Sequence, residues 1–257
     1  IRRGALGREV VVTEERPAFY ALAPGGWRDW WTLLHPPYTL WHLSYVALGA
    51  STAAELNLYR LGLSLLGFFL GVGLAAHALD ELRGRPLGTS IPHGVLVAVA
   101  AASLAGAAAV GTIGIVQVTG WLAVFIVVGA FLVVAYNLEL LGGAFHSDLW
   151  FALAWGGFPT LTGAFAQDGR VGLAAVAVAV ACVAISAAQR ALSTPVRRLR
   201  RRVASVEGTI TLRDGTTEPI GPEVIRRAPE AALQLLSIAM PVLAIAFVIA
   251  KRSSPVP

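Results

Sequence analysis

Charged side chains are scarce in this chain: 14% of its 257 residues are Asp, Glu, Lys or Arg, where soluble domains carry about 25%. That is too few to cover a surface facing water. Cysteine is nearly absent, and the single Cys182 excludes a disulfide framework or a cysteine-built zinc site while saying nothing of redox compartment. Long repeats and low-complexity tracts are missing, which removes the fibrous and disordered classes. The chain starts at Ile1 without Met or a signal-peptide pattern, so its N-terminus reads as incomplete or processed. What is present is an apolar excess, 56% of residues with a mean hydropathy of +0.68, and that is the composition of a bilayer protein.

A helix needs about 20 apolar residues to cross the ~30 Å hydrocarbon layer. Seven runs of roughly that kind lie between polar breaks, at Tyr38–Ala54, Arg60–Leu79, Gly94–Val116, Gly120–Leu138, Leu149–Ala166, Gly172–Ala188 and Ala231–Ala250. The expected fold is therefore all-α and membrane-integral, with residues 1–36 as an interfacial segment, 37–192 as six helices, 193–229 as a basic loop and 230–257 as a seventh helix with a tail. Basic residues orient it, because loops that stay in the cytoplasm retain Lys and Arg. With the N-terminus inside, sixteen basic residues fall inside and four outside, namely Arg60, Arg170, Lys251 and Arg252. An inner, cytoplasmic membrane with N-terminus in and C-terminus out follows. The net charge of +5 is then a topology signal and an attraction to anionic lipid, not a nucleic-acid footprint. Trp27, Trp30 and Trp31 beside Arg28 and Asp29 suit an amphipathic segment in the headgroup layer. Asp214-Gly215, between β-favouring threonines, predicts a small cytoplasmic hairpin. Small-residue spacing such as Gly67-Phe-Phe-Leu-Gly71 permits close helix packing, and Cys182 and Met240 read as packing residues.

Ionisable groups at membrane depth are costly and hence candidates for function. His77, Asp80 and Glu81, spaced i, i+3, i+4, share one face at the inner end of the second helix. Tyr136, Asn137 and Glu139 end the fourth helix on that side, His146 and Asp148 open the fifth, and His42 lies one turn into the first. The structural alternative is that Asp80, Glu81, Arg83 and Arg85 pair among themselves and that Asp148 caps its helix.

These residues resemble a known pattern. Ala76-His-Ala-Leu-Asp-Glu-Leu-Arg-Gly-Arg-Pro-Leu-Gly-Thr89 is similar to the first signature, N-D-x-x-D-x-x-x-D followed by Arg-Pro, of the UbiA superfamily of intramembrane prenyltransferases. Tyr136-Asn, the run from Phe145-His-Ser-Asp to Gly163, and the opening Pro37-Tyr-Thr-Leu40 resemble later and earlier stretches of quinone-type members. The matches cover most of 34–188 in the family's order. The resemblance implies a bundle around a central cavity, an isoprenyl diphosphate at the cytoplasmic mouth, and Mg²⁺ between its phosphates and two Asp-rich motifs. There are departures. His77 stands where the leading Asp is usual, Gly84 where the last is, and Ser186-Ala-Ala-Gln-Arg, where the second motif belongs, has no carboxylate; the helices also number fewer than is usual.

On this basis His77, Asp80 and Glu81 are the candidate catalytic residues. His42, Arg83, Arg85, Tyr136, Asn137, Arg190, Arg197 and Arg198 are candidates for binding substrate, the arginines by gripping phosphate directly. A divalent metal would take His77, Asp80, Glu81, Glu139, His146 and Asp148; Zn²⁺, Fe²⁺ or Mn²⁺ suit two histidines better than Mg²⁺ does. Three functions stand open: a divergent UbiA-like enzyme acting on an isoprenoid or other long-chain lipid, a non-catalytic lipid- or quinone-binding subunit of a membrane complex, and a His/carboxylate metalloenzyme.

Overall fold

The computed structural model describes residues 16–253, so Arg2, Arg3 and Arg8 and residues 254–257 lie outside the described residues. The order is α1 (Trp27–Leu34), α2 (Pro36–Ala50), α3 (Leu58–Leu82), α4 (His93–Gln117), α5 (Leu122–Asn137), α6 (148–168), α7 (Leu173–Arg202) and α8 (Pro222–Ser253). Strands β1 (Thr209–Thr211) and β2 (Thr217–Pro219) pair antiparallel between α7 and α8. Four helices, α3, α4, α7 and α8, are long and apolar enough to cross a membrane, while α5 is apolar but shorter. Their surfaces are apolar outward as well as inward: Val116 is 83% exposed and Leu173 86%, which water would penalise and lipid does not.

Local chemistry sets the helix ends. Pro36 and Pro37 open α2, where a missing N–H costs nothing. The Asn57 side chain caps α3 by accepting from Arg60 N at 3.1 Å, and Ser147 caps α6 by accepting from Trp150 N at 3.3 Å. The cap of α6 is thus Ser147 and not Asp148, which sits in the first turn. Two helices carry a wider turn mid-way, over Phe69–Ala76 in α3 and Leu153–Gly157 in α6.

About half of the expected loop at 193–229 is helical, at its two ends. α7 runs on to Arg202 through Pro195, and α8 starts at Pro222. Arginine favours helix as much as leucine does, and here its charges lie where they need not enter lipid. What remains between them carries the expected hairpin. Gly215 turns at φ 86, and Asp214 accepts from Thr216 N and Oγ1 at 2.9 and 2.7 Å.

Packing falls into two halves. One core gathers Leu33, Val72, Ala75, Leu79, Leu96, Leu132, Tyr136 and Trp155 from α1 and α3–α6. The other gathers Trp41, Tyr45, Leu61, Cys182, Leu233 and Met240 from α2, α3, α7 and α8. Cys182 and Met240 are packing residues, 1% and 3% exposed. α2 and α6 cross with their backbones nearly touching: a Cβ on Gly49 would lie 1.9 Å from the Thr160 carbonyl oxygen, and one on Gly163 2.2 Å from that of Val46.

Candidate functional site

Between the two halves, at the end of the molecule that carries most of the arginines, lies a cavity of about 850 Å³, the size of a small-molecule site. Its rim holds seven arginines, Arg83, Arg85, Arg190, Arg197, Arg198, Arg201 and Arg202, around Asp80 and Glu139. Its deeper wall is formed by His35, His42, His77, Tyr136, Asn137, His146, Phe151, Trp155 and Gln189. α7 supplies its arginines because residues 190, 194, 197 and 201 recur on one helical face. The segment Pro17–Tyr20 crosses the rim, held by Arg201 Nε donating to the Pro17 carbonyl at 3.2 Å and Arg200 Nη1 to that of Arg16 at 3.1 Å.

Twelve of the fourteen residues singled out from the sequence line this one space; Glu81 and Asp148 do not. Glu81 is fully buried and turned into the loop that follows it. It accepts from Leu87 N at 3.0 Å, Thr89 N at 2.9 Å and Thr89 Oγ1 at 2.9 Å. Three donors satisfy a carboxylate well, so its role is to hold the loop. That loop is tied in turn to α1, where buried Asp29 accepts from Gly25 N and Ser90 N at 3.0 and 3.1 Å. Asp148 pairs with Arg190 at 2.8 Å on an exposed edge, and Arg190 also lies 5.4 Å from the centre of the Phe151 ring. Glu139 pairs with Arg83 at 2.6 Å. Arg85 donates to the Thr89 and Ile91 carbonyls at 2.9 and 2.6 Å. The Asn137 amide donates to its own helix at Val133.

Asp80 is the carboxylate left over. No hydrogen bond or ion pair engages it among the described residues, and across the cavity it faces the guanidinium charges of Arg201 and Arg197. Arg197, Arg198, Arg201 and Arg202 likewise have no carboxylate partner among the described residues. The rim therefore carries positive charge in excess.

The wall has the opposite character. His35 and His77 stack at 4.1 Å with 17° between their planes, and His77 Nδ1 lies 3.0 Å from the Gly73 carbonyl. Burial first, and then the neighbouring His77, Arg201 and Arg197, hold the His35 imidazole well below its ordinary range. His146 stacks on Tyr136 at 4.5 Å, with Nδ1 3.0 Å from the Tyr136 carbonyl. Several buried polar atoms lack partners of ordinary geometry: both ring nitrogens of His42, the Tyr136 hydroxyl, Gln189 Oε1 and His35 Nε2. Gln189 lies close enough to act on His42 without completing a bond. Such atoms are normally satisfied, so this cluster opening on one cavity is where water or a bound molecule would supply the missing partners. Backbone strain is concentrated here too. Of four non-glycine residues with positive φ, His35 (48°), Arg85 (53°) and Glu139 (50°) line the cavity, a distribution typical of functional sites. The wider turns of α3 and α6 contribute Val72, Ala76 and Trp155 to its wall.

Among the described residues no three of His, Cys, Asp and Glu come together; Glu81, Glu139 and Asp148 each bond another part of the chain. Sequence reasoning missed His35, Gln189, Arg201, Arg202, Phe151 and Trp155. Gln189 had a signal, since Ser186, Gln189 and Ser193 recur at helical spacing and form a buried polar stripe on α7. Comparison of the chain with family models, curated proteins and solved structures returns no match.

Proposed function

We propose that this chain is a divergent UbiA-like membrane enzyme that takes an isoprenoid or other long-chain lipid by its phosphate or diphosphate group. The observation that carries this reading is the cavity itself: guanidinium charge in excess at the rim above an aromatic, imidazole-rich wall. That gradient suits an amphiphile with an anionic head. Arg197 and Arg201 neutralise charge on the departing diphosphate as the allylic C–O bond breaks. Phe151 and Trp155 keep water from the carbon left positive. The His42 ring, Gln189 Oε1 and the Tyr136 hydroxyl receive the polar end of the acceptor, and a ring nitrogen of His42 takes the proton it releases on bond formation. In this reading seven helices span the membrane, the arginine rim faces the cytoplasm and Pro257 lies outside, in keeping with the basic-residue bias.

The second reading, a non-catalytic lipid- or quinone-binding subunit, is favoured by one observation. Two of the carboxylates expected to do chemistry or hold a metal, Glu81 and Glu139, are engaged in holding the chain together. Binding and turnover in nanodiscs separate the two. The enzyme reading expects farnesyl diphosphate to bind and farnesol not to, binding about tenfold weaker in Arg197→Gln or Arg201→Gln, the weight of one charge-assisted hydrogen bond, and release of inorganic diphosphate with an acceptor present. Tight binding with the diphosphate recovered intact supports the subunit reading. No binding of either lipid removes both.

A further inference from the structure

At the opposite end from the arginine rim, a second space of about 150 Å³ runs between α3, α4, α5 and α6. Its lining is almost wholly apolar and unusually thin. Gly67, Gly71, Ala107 and Ala108 leave room that larger side chains would fill, and a Cβ built on Gly71 meets nothing within 4 Å, whereas Gly111 and Gly129 are already closed off by Ile126 and Phe158. A space of this size and lining does not hold ordered water. It extends along α3 from Arg60 to Val72, roughly 18 Å at 1.5 Å per residue, or about one leaflet's share of the hydrocarbon layer.

Arg60 stands alone at its outer end as the one charged residue lining the groove. Its guanidinium donates to the Gln167 carbonyl and, at 3.2 Å, to the Gln117 carbonyl, which tie together the ends of α3, α4 and α6. Two of its five N–H groups are thereby used, and no carboxylate among the described residues neutralises it. At its inner end the groove stops against Val72 and Trp155, which also line the arginine cavity. Trp155 is fixed edge-on to Tyr136 at 5.5 Å, so the two spaces share a wall.

We propose that this groove seats one acyl chain of a membrane phospholipid from the leaflet opposite the arginine rim, with Arg60 holding the lipid's phosphate. The guanidinium matches phosphate in charge and in donor geometry, and the apolar channel below it is the right length for a chain entering from that leaflet. The arrangement ties lipid to the ends of three helices at once, and it does not depend on the activity assigned to the cavity.

The test uses the intact protein in phosphatidylcholine vesicles doped with one of two lipids. One is phosphatidylglycerol with a diazirine in the middle of an acyl chain, and the other is the diacylglycerol with the same chains and no phosphate. After illumination, adducts are mapped by peptide mass spectrometry. The expected result is that phosphatidylglycerol labels 104–118 and 122–133 about tenfold more than the diacylglycerol does, the weight of one charge-assisted hydrogen bond. Gly71→Leu, which fills the groove and leaves Arg60 in place, abolishes this labelling, and Arg60→Gln equalises the two lipids. Equal labelling by both lipids in the unaltered protein overturns the proposal without any variant. So does labelling that ignores Arg60→Gln and disappears when farnesyl diphosphate is added, since the groove would then belong to the tail of the cavity's own ligand.

Discussion

Asp80 and Glu81 are adjacent in sequence and opposite in meaning. Glu81 is sealed among the donors of the loop after α3. Replacing it with Ala strands two buried N–H groups at about 1–3 kcal/mol each, so we expect Glu81→Ala to lower the unfolding free energy in detergent by about 3 kcal/mol, read from a denaturant or thermal melt. Asp80 faces excess positive charge with no bond of its own. Asp80→Asn should leave the melt unchanged and raise affinity for farnesyl diphosphate, because it removes the one uncommitted negative charge near Arg197 and Arg201. Calorimetry decides this; lost affinity would show instead that the carboxylate anchors a metal bridging the phosphates. At the hairpin, hydrogen bonds from the Thr216 hydroxyl and then its amide hold the Asp214 carboxyl below the ordinary carboxylate range. A depressed carboxyl stabilises above its unfolded pKa and loses that contribution as pH falls through the folded one. The Thr216 amide resonance should therefore stay constant from neutral pH down through the ordinary carboxylate range and shift only below it.

At the scale of elements, the sequence showed where helices lie far better than how they touch. Each of the seven apolar runs falls on a helix, though Tyr38–Ala54, Gly120–Leu138 and Gly172–Ala188 overshoot the helix ends, because a chain with so little charge has few other ways to satisfy its backbone. It misjudged where α7 and α8 end, since arginine breaks an apolar run without breaking a helix. It also chose the wrong glycines. Gly67 and Gly71 have the spacing of a packing motif, yet a Cβ on Gly67 would meet only Val110 at 3.7 Å and one on Gly71 nothing. The tight crossing is made by Gly49 and Gly163, whose partners lie on another helix and leave no trace in local spacing. Gly49→Ala and Gly163→Ala should each cost about 3 kcal/mol or prevent assembly, since carbonyl oxygens cannot retreat as a flexible side chain can. Gly71→Ala should be tolerated. Parallel melts of the three variants test this ranking, and equal stability would contradict the crossing.

For the whole molecule, the polar residues read from the sequence converged because each lies at the same end of its helix, a property that helix length and alternating direction impose. The seven-arginine rim was only partly legible: Arg197, Arg198, Arg201 and Arg202 were all expected in a loop at 193–229, where the helical phase that lines up 190, 197 and 201 could not be applied. If that rim faces the cytoplasm, single cysteines introduced at Gly215 and at Gly84 should react with an impermeant maleimide from the same side, and one at Gly169 from the other. Cys182 gives no background, being buried. Labelling of Gly215 and Gly169 from one side would overturn the proposed topology.

The strap across the rim has a consequence for how the protein is made. Arg16 and Pro17 are anchored by Arg200 and Arg201, a separation of 184 residues in each case. At about 5–20 residues per second, synthesis takes roughly 10–40 s to cover that distance. Throughout that interval the chain's beginning has emerged and its anchors have not, so the ribosome completes six helices around a vestibule that nothing yet closes. The cavity therefore closes only after α7 has emerged, and a nascent chain stalled before Arg200 should expose Tyr20 and His35 to added protease while a chain carried to the end of α8 and released protects them.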